Sequence, residues 1–377
     1  MTAMREAEYA IIGGGLVGMA IAWGLMRCGR AVSLFDEGDR AFRASRGNFG
    51  LIWVQGKGVA MPDYARWSRL SAHLWPAFRD ELAETAGLDL ELSQPGGMHL
   101  FLSEAEAEET VGQLGYLRAA LGGDYPFEYL GHNATKAMIP EIGPDVVGGT
   151  FSAMDGHVNP LYLLRALHTA FTQGGGRLEN GAPVDEIEPL AEGFRIRRRD
   201  STWQAQNVVL CAGLGNARLA PMVGLDAPVR PNRGQVLITE KVRPFLRLPT
   251  GHVRQVGEGA VQIGDSKEDA GFDDGTRSEV VARIARRATR LFPILENVRV
   301  VRSWGALRVM SPDGHPIYDR SAHCPGASVV NCHSGVTLAA VHAKVLPGWI
   351  TGESAPDCIP DYMEVFSAER FRLQAAG

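Results

Sequence analysis

Tyr9 to Ile12 is a short apolar run, long enough for one buried strand. Glycines follow at Gly13, Gly15 and Gly18, and Leu16, Met19, Ala20, Trp23 and Met26 then recur at helical spacing. Val32 to Phe35 is a second apolar run, closed by Asp36. The pattern predicts strand, glycine turn, helix, strand, acid. Downstream, Tyr64, Trp67, Leu70, Leu74, Phe78 and Leu82 predict a helix over 62–87 that ends at Gly87. Leu90 to Leu102 alternates around Gly96 and Gly97 as a strand pair would. Residues 104–121 read as a surface helix capped by Ser103 and broken by Gly122-Gly123.

The middle of the chain predicts a strand from Val147 to Ala153 and an amphipathic helix from Pro160 to Phe171, closed by Gly174 to Gly176. Short strands are expected at Pro183 to Ile187 and Phe194 to Arg198, and a buried one at Asn207 to Cys211. Further strands follow at Gln235 to Thr239, His252 to Val256, Ala260 to Ile263 and Val298 to Trp304. A basic amphipathic helix over 276–292 lies among them, its arginines read as a solvated face. Gly305 to Tyr318 looks turn-rich. Val329 to Cys332 reads as a strand that enters the turn His333-Ser334-Gly335-Val336-Thr337, with a helix from Leu338.

The glycine turn fits G-x-G-x-x-G, and each glycine has a physical task. Gly13 permits the tight turn, Gly15 lets the backbone approach a pyrophosphate, and Gly18 brings helix and sheet together. Phosphates are favoured at the helix N-terminus by free N–H groups and the dipole. Asp36, 23 positions after Gly13, can accept from a ribose hydroxyl. The unit therefore predicts dinucleotide binding, without separating FAD from NAD. Three further stretches suggest close backbone approach to a ligand: Arg43 to Gly58, Ala212 to Gly215, and the turn 333–337.

Composition narrows the partners. The 377 residues carry a net charge of −5, which argues against nucleic acid. No apolar run reaches the ~18 residues of a membrane span. The first strand starts so early that no signal peptide is expected, which predicts a cytoplasmic protein. Cys28, Cys211, Cys324, Cys332 and Cys358 are scattered with no C-x-x-C, so no zinc site, iron–sulfur cluster or disulfide framework is expected.

Together the N-terminal fingerprint, Ala44-Ser45-Arg46-Gly47-Asn48, Val208 to Gly213, Gly305 to Pro316 and His333 to Thr337 resemble the D-amino acid oxidase family of FAD enzymes. The likeness covers nearly the whole chain. Ser45 to Gly58, Gly234 to Lys241 and Cys332 to Ala343 are similar to one branch of it, the smaller catalytic subunits of hetero-oligomeric dehydrogenases. Octopine and nopaline dehydrogenases, D-hydroxyproline dehydrogenase and hydrogen cyanide synthase belong to that branch.

The resemblance implies an α/β fold. A Rossmann-like FAD-binding domain (1–90, 145–220 and 300–377) would be interleaved with a mixed-sheet α+β substrate domain (91–144 and 221–299), as in glycine oxidase and sarcosine oxidase. It implies non-covalent FAD, since no cysteine lies between Cys211 and Cys324. Gly13, Gly15, Leu16, Val17, Asp36 and Glu37 would hold the ADP half. Ser45, Arg46, Asn48, Gly50 and Leu51 would lie along the pyrophosphate and flavin ring. Val184 would meet the adenine through its backbone, Ala212 and Gly213 would back the pyrophosphate, and Gly305 would lie near the ring. Gly335, Val336 and Thr337 would face the flavin pyrimidine edge. Arg308 would bind the substrate carboxylate, with His252 and His333 as candidates for substrate binding or proton relay. Lys57 is either a flavin neighbour or a loop lysine.

The implied reaction oxidises the carbon–nitrogen bond of a small amino acid, imino acid or opine by hydride transfer from the α-carbon to flavin N5. Larger redox subunits carrying FAD, FMN or iron–sulfur centres are the expected partners. A stand-alone oxidase using oxygen is the alternative within the family. An NAD-dependent dehydrogenase and a non-catalytic FAD-binding assembly subunit remain open beyond it.

Overall fold

The computed structural model describes residues 5–38, 44–199, 201–264, 266–353 and 359–375; Arg43 and Cys358 lie outside them. Among the described residues, an eight-stranded sheet forms the base of the molecule. Its main path runs Ile317–Arg320, Ala327–Asn331, Ser201–Leu210, Arg5–Ile12, Val32–Phe35 and Arg177–Glu179. The strands beside Arg5–Ile12 are parallel to it. Phe194–Arg198 pairs antiparallel with Ser201–Leu210, and Glu186–Pro189 pairs antiparallel with Phe194–Arg198.

The central strands are short and apolar because both faces are covered. Along the first strand, Tyr9 and Ile11 point into one core and Ala10 and Ile12 into the other. The first core holds the helices Leu16–Arg27, Pro62–Ala86, Pro160–Gln173 and Ala339–Lys344, with Trp23, Trp67, Trp75 and Phe78 fully buried. The second is built around Phe35, whose ring meets the Trp203 ring edge-on at 5.1 Å.

A four-stranded antiparallel sheet orders Val253–Gln255, Ala260–Ile263, Arg230–Lys241 and Val300–Met310. A three-stranded antiparallel sheet places Gly148–Ser152 between Gly97–Phe101 and Glu128–Gly131. One core joins the two sheets under the helix Ser278–Leu291, which buries Val280, Ile284, Ala288 and Leu291.

Helix termini follow their local signals. Gly87 is left-handed, with φ of 62°, and Ser103 Oγ accepts from Glu106 N at 3.3 Å. Four expectations change. The region 90–102 gives one strand, Gly97–Phe101, because its partner is Gly148–Ser152. The strand expected from Pro183 starts at Glu186. Val300–Met310 is continuous through Gly305, where a turn-rich stretch was expected, because Arg230–Lys241 pairs along its length. Both Gly148–Ser152 and Val300–Met310 thus share sheets with the other segments, across the edges expected at 145 and 300.

Candidate functional site

The glycine turn lies at the carboxyl ends of the parallel strands, where open α/β sheets bind ligands. Its glycines differ in what surrounds them. Gly13 has φ of 112°, and a Cβ there would lie 2.4 Å from the Cys211 carbonyl oxygen. A Cβ on Gly18 would lie 1.9 Å from the Gly13 oxygen. Gly15 has an ordinary φ of −72°, and a Cβ would meet only Ser45, its Oγ at 2.9 Å. That Oγ accepts from Leu16 N at 2.9 Å, which fixes the 44–58 loop over the helix start. Asp36 Oδ2 accepts from Gly14 N at 2.7 Å and Oδ1 from Gly38 N at 2.9 Å.

One cavity of about 580 Å³ opens here. Gly13, Gly15, Leu16, Val17, Asp36, Glu37, Ser45, Arg46, Asn48, Val184, Ala212, Gly213, His333 and Gly335 all line it. The turn 333–337 meets the helix start directly: a Cβ on Gly335 would stand 3.6 Å from Val17 Cγ2. A bare glycine backbone at a helix N-terminus, an acid at the second strand and an elongated wall of small residues fit FAD.

The other candidates stand outside that lining. Thr337 Oγ1 accepts from Trp53 N at 3.2 Å and donates to the Leu51 oxygen at 3.3 Å, so it ties the two loops together. Val336 is buried in the core. A Cβ on Gly50 would strike the Val158 oxygen at 2.5 Å, and one on Gly305 would strike the Asp274 oxygen at 2.5 Å. Both glycines make room for protein. Arg308 sits on a strand, between the cavity-lining Leu307 and Val309. Its Nη1 donates to Asn232 Oδ1 at 3.1 Å and to the Ser266 oxygen at 2.9 Å, and its guanidinium covers Gly234. His252 lines a different cavity.

Several lining residues carried no sequence signal. Phe272 and Asp274 reach the cavity from a segment anchored by Arg233, whose side chain is 1% exposed. Arg233 pairs with Glu268 at 2.8 Å and Asp273 at 2.5 Å. Arg218 donates to the Val184 and Asp185 carbonyls at 2.7 Å, so the Val184 oxygen already has a partner. The Gly-rich run 212–215 hinted at ligand approach but did not single out Arg218.

A polar cluster closes the end near His333. Lys57 Nζ donates to Ser334 Oγ at 2.6 Å, and Tyr64 OH donates to the same oxygen at 2.9 Å. The Ser334 hydrogen is left for His333 Nε2, 3.2 Å away, which puts the imidazole proton on Nδ1. Burial, then Lys57 and Arg308, hold the His333 pKa well below the usual histidine range, so the ring is neutral. Below the loop, fully buried Asp155 accepts from Val54 N at 2.6 Å and Gln55 Nε2 at 2.7 Å. Burial pushes its pKa up to about 7.

A family model for FAD-dependent oxidoreductases, DAO, matches residues 8–347. The chain belongs to this family. It is 43% identical over 374 residues to an opine oxidase subunit of Agrobacterium tumefaciens, covering 99% of this chain and 100% of the relative. It is 25% identical over 421 residues to a hydrogen cyanide synthase subunit of Pseudomonas aeruginosa, covering 99% and 98%. The fold superposes on the crystal structure of glycine oxidase from Geobacillus kaustophilus with a TM-score of 0.87 at 24% identity, covering 94% and 96%. FAD is therefore the cofactor, as the resemblance implied. No helix of the described residues is long and apolar enough to cross a membrane.

Proposed function

We propose that this DAO-family enzyme oxidises the carbon–nitrogen bond of a small amino acid, imino acid or opine, with opines the first choice. The observation that carries the reading is the 43% identity, end to end, with a chain named as an opine oxidase subunit. That name also supports assembly with a partner chain; in this reading the chain is the catalytic subunit and the partner receives its electrons.

Bound FAD supplies the electron acceptor, N5, for the hydride that leaves the substrate α-carbon. The chain's own residues position the reactants. Gly13, Gly15 and the start of Leu16–Arg27 would hold the pyrophosphate, with Asp36 at the ribose. Ser45, Arg46 and Asn48 would run along it toward the ring, and the backbone of 335–337 would face the pyrimidine edge. Arg308 would take the substrate carboxylate, because a guanidinium fork fixes both position and orientation. Asn232 and the Ser266 carbonyl hold that fork in place. Its strand neighbours Leu307 and Val309 line the cofactor cavity. Neutral His333 adds no charge there, and its Nε2 accepts from Ser334.

The test is the visible spectrum of the anaerobic, FAD-loaded chain during addition of octopine, nopaline, hydroxyproline isomers, proline, sarcosine and glycine in turn. Bleaching by an opine with slow reoxidation in air supports the proposal. Bleaching by glycine or sarcosine with fast oxygen uptake would replace it with a self-sufficient oxidase.

A further inference from the structure

The helix Ser278–Leu291 turns one stripe into the core and carries Arg283, Arg286, Arg287 and Arg290 beside it. The sequence reads these arginines as a solvated face. The structure gives them a more specific setting. They form one wall of a second cavity, about 390 Å³ in volume, and His252 stands on the facing wall. This cavity shares no lining residue with the cofactor cavity.

Only part of its positive charge is neutralised. Arg287 clasps Glu106 through two 2.9 Å hydrogen bonds, and Arg290 Nε donates to Asp145 at 2.7 Å. Among the described residues, no acid pairs with Arg283 or Arg286. Among the described residues, none hydrogen-bonds His252 Nδ1 or Arg287 Nε, and both atoms are buried. Burial, with Arg287 next, holds the His252 pKa down at about 4, so the ring is neutral and offers one N–H. The chain as a whole is acidic, with a net charge of −5, so this concentration of cations is not its background.

We propose that this cavity binds a small polyanion, a molecule with two or more carboxylate or phosphate groups, through Arg283 and Arg286 at the mouth, against an inner wall formed by His252 and Arg287. A guanidinium fork matches either oxyanion geometry. The recess behind the mouth favours a small molecule over an acidic protein surface, which would meet only the exposed arginines. This site stands independently of the substrate assigned to the cofactor cavity.

The test is calorimetric titration of the FAD-loaded full chain at low ionic strength with pyrophosphate, citrate and, as a control, chloride. Arg283→Gln/Arg286→Gln removes the unpaired charge and leaves the Arg287–Glu106 pair intact. His252→Phe probes the inner wall. Saturable binding of pyrophosphate or citrate, weakened at least tenfold by the double variant with flavin spectrum and melting temperature unchanged, is the expected result. A preference between the two probes tells phosphate from carboxylate ligands. Absence of saturable binding overturns the proposal, as does equal affinity in the double variant. Displacement by chloride at equal concentration means an adventitious ion only and overturns it too. If no small anion binds but the double variant loses a co-purifying partner chain, the patch is a protein-docking surface instead.

Discussion

Gly15→Ala should separate cofactor binding from folding, and Gly18→Ala should do the reverse. At Gly15 the backbone is ordinary, and the new methyl would meet only Ser45, 2.9 Å from its Oγ. Ser45 must shift, which weakens its bond to Leu16 N, a loss of ~0.5–1.5 kcal/mol. The methyl also stands where a pyrophosphate must approach the helix N-terminus. Losing one charge-assisted hydrogen bond there costs ~1.5–3 kcal/mol. The Ser45 loss falls on free and bound protein alike, so the pyrophosphate contact alone sets the affinity change, roughly ten- to a hundredfold in the FAD dissociation constant. At Gly18 the methyl would lie 1.9 Å from a backbone oxygen, so helix and strand must separate. Overpacking of this kind costs ~1–3 kcal/mol or more of stability. Quenching of FAD fluorescence on titration with apoprotein measures the first effect, and the melting temperature of the apoprotein measures the second. If Gly15→Ala binds FAD within twofold of wild type, or lowers the melting temperature as far as Gly18→Ala, the assignment of distinct tasks is wrong.

Arg308→Ala should keep the yellow spectrum and lower kcat/KM by roughly ten- to a hundredfold, from the ~1.5–3 kcal/mol of a charged hydrogen-bonded contact; an unchanged kcat/KM would remove Arg308 from the substrate site. Arg233→Met strands Glu268 against a buried strand and should cost ~3–5 kcal/mol in urea unfolding; a loss under 1 kcal/mol would mean that the segment holds itself. Asp155 binds its proton more tightly folded, at about 7 against an ordinary 3.8, so its contribution to stability falls as pH rises from about 4 to about 7. Asp155→Asn should flatten the melting temperature over that range, and a slope identical to wild type would show that Asp155 is not the group responsible. Because His333 is held neutral, His333→Asn should leave the shape of the pH profile of anaerobic flavin reduction between pH 6 and 8 unchanged; loss of an ionisation from that profile would contradict it.

The first 38 residues were legible because every signal in them is local. Strand length, glycine spacing and the acid after the second strand are set within one βαβ unit, and the cavity forms where that unit predicts. Three other features have neighbours that the sequence did not indicate. Gly305 reads as a turn residue, yet it belongs to a strand that a partner 70 positions earlier holds straight. Gly50 reads as a ligand contact, yet Val158 and Arg254 occupy the space its side chain would need. His252 reads as a candidate for substrate binding or proton relay, yet it lines a cavity with the arginine helix. In each case the deciding neighbour is distant in sequence.

By itself the sequence determined the nucleotide-binding unit, the two-faced burial of its sheet and, through resemblance, the family and its cofactor. These depend on periodicity and spacing, which a linear chain carries. Only the tertiary structure decided what the remaining side chains face. It brought Phe272 and Asp274 to the cofactor cavity through buried Arg233, set Arg308 on a strand between two apolar wall residues, and walled a second cavity with His252 and four arginines. The physical reason is that burial and electrostatics are fixed by neighbours in space, and sheet pairing selects those neighbours across hundreds of residues.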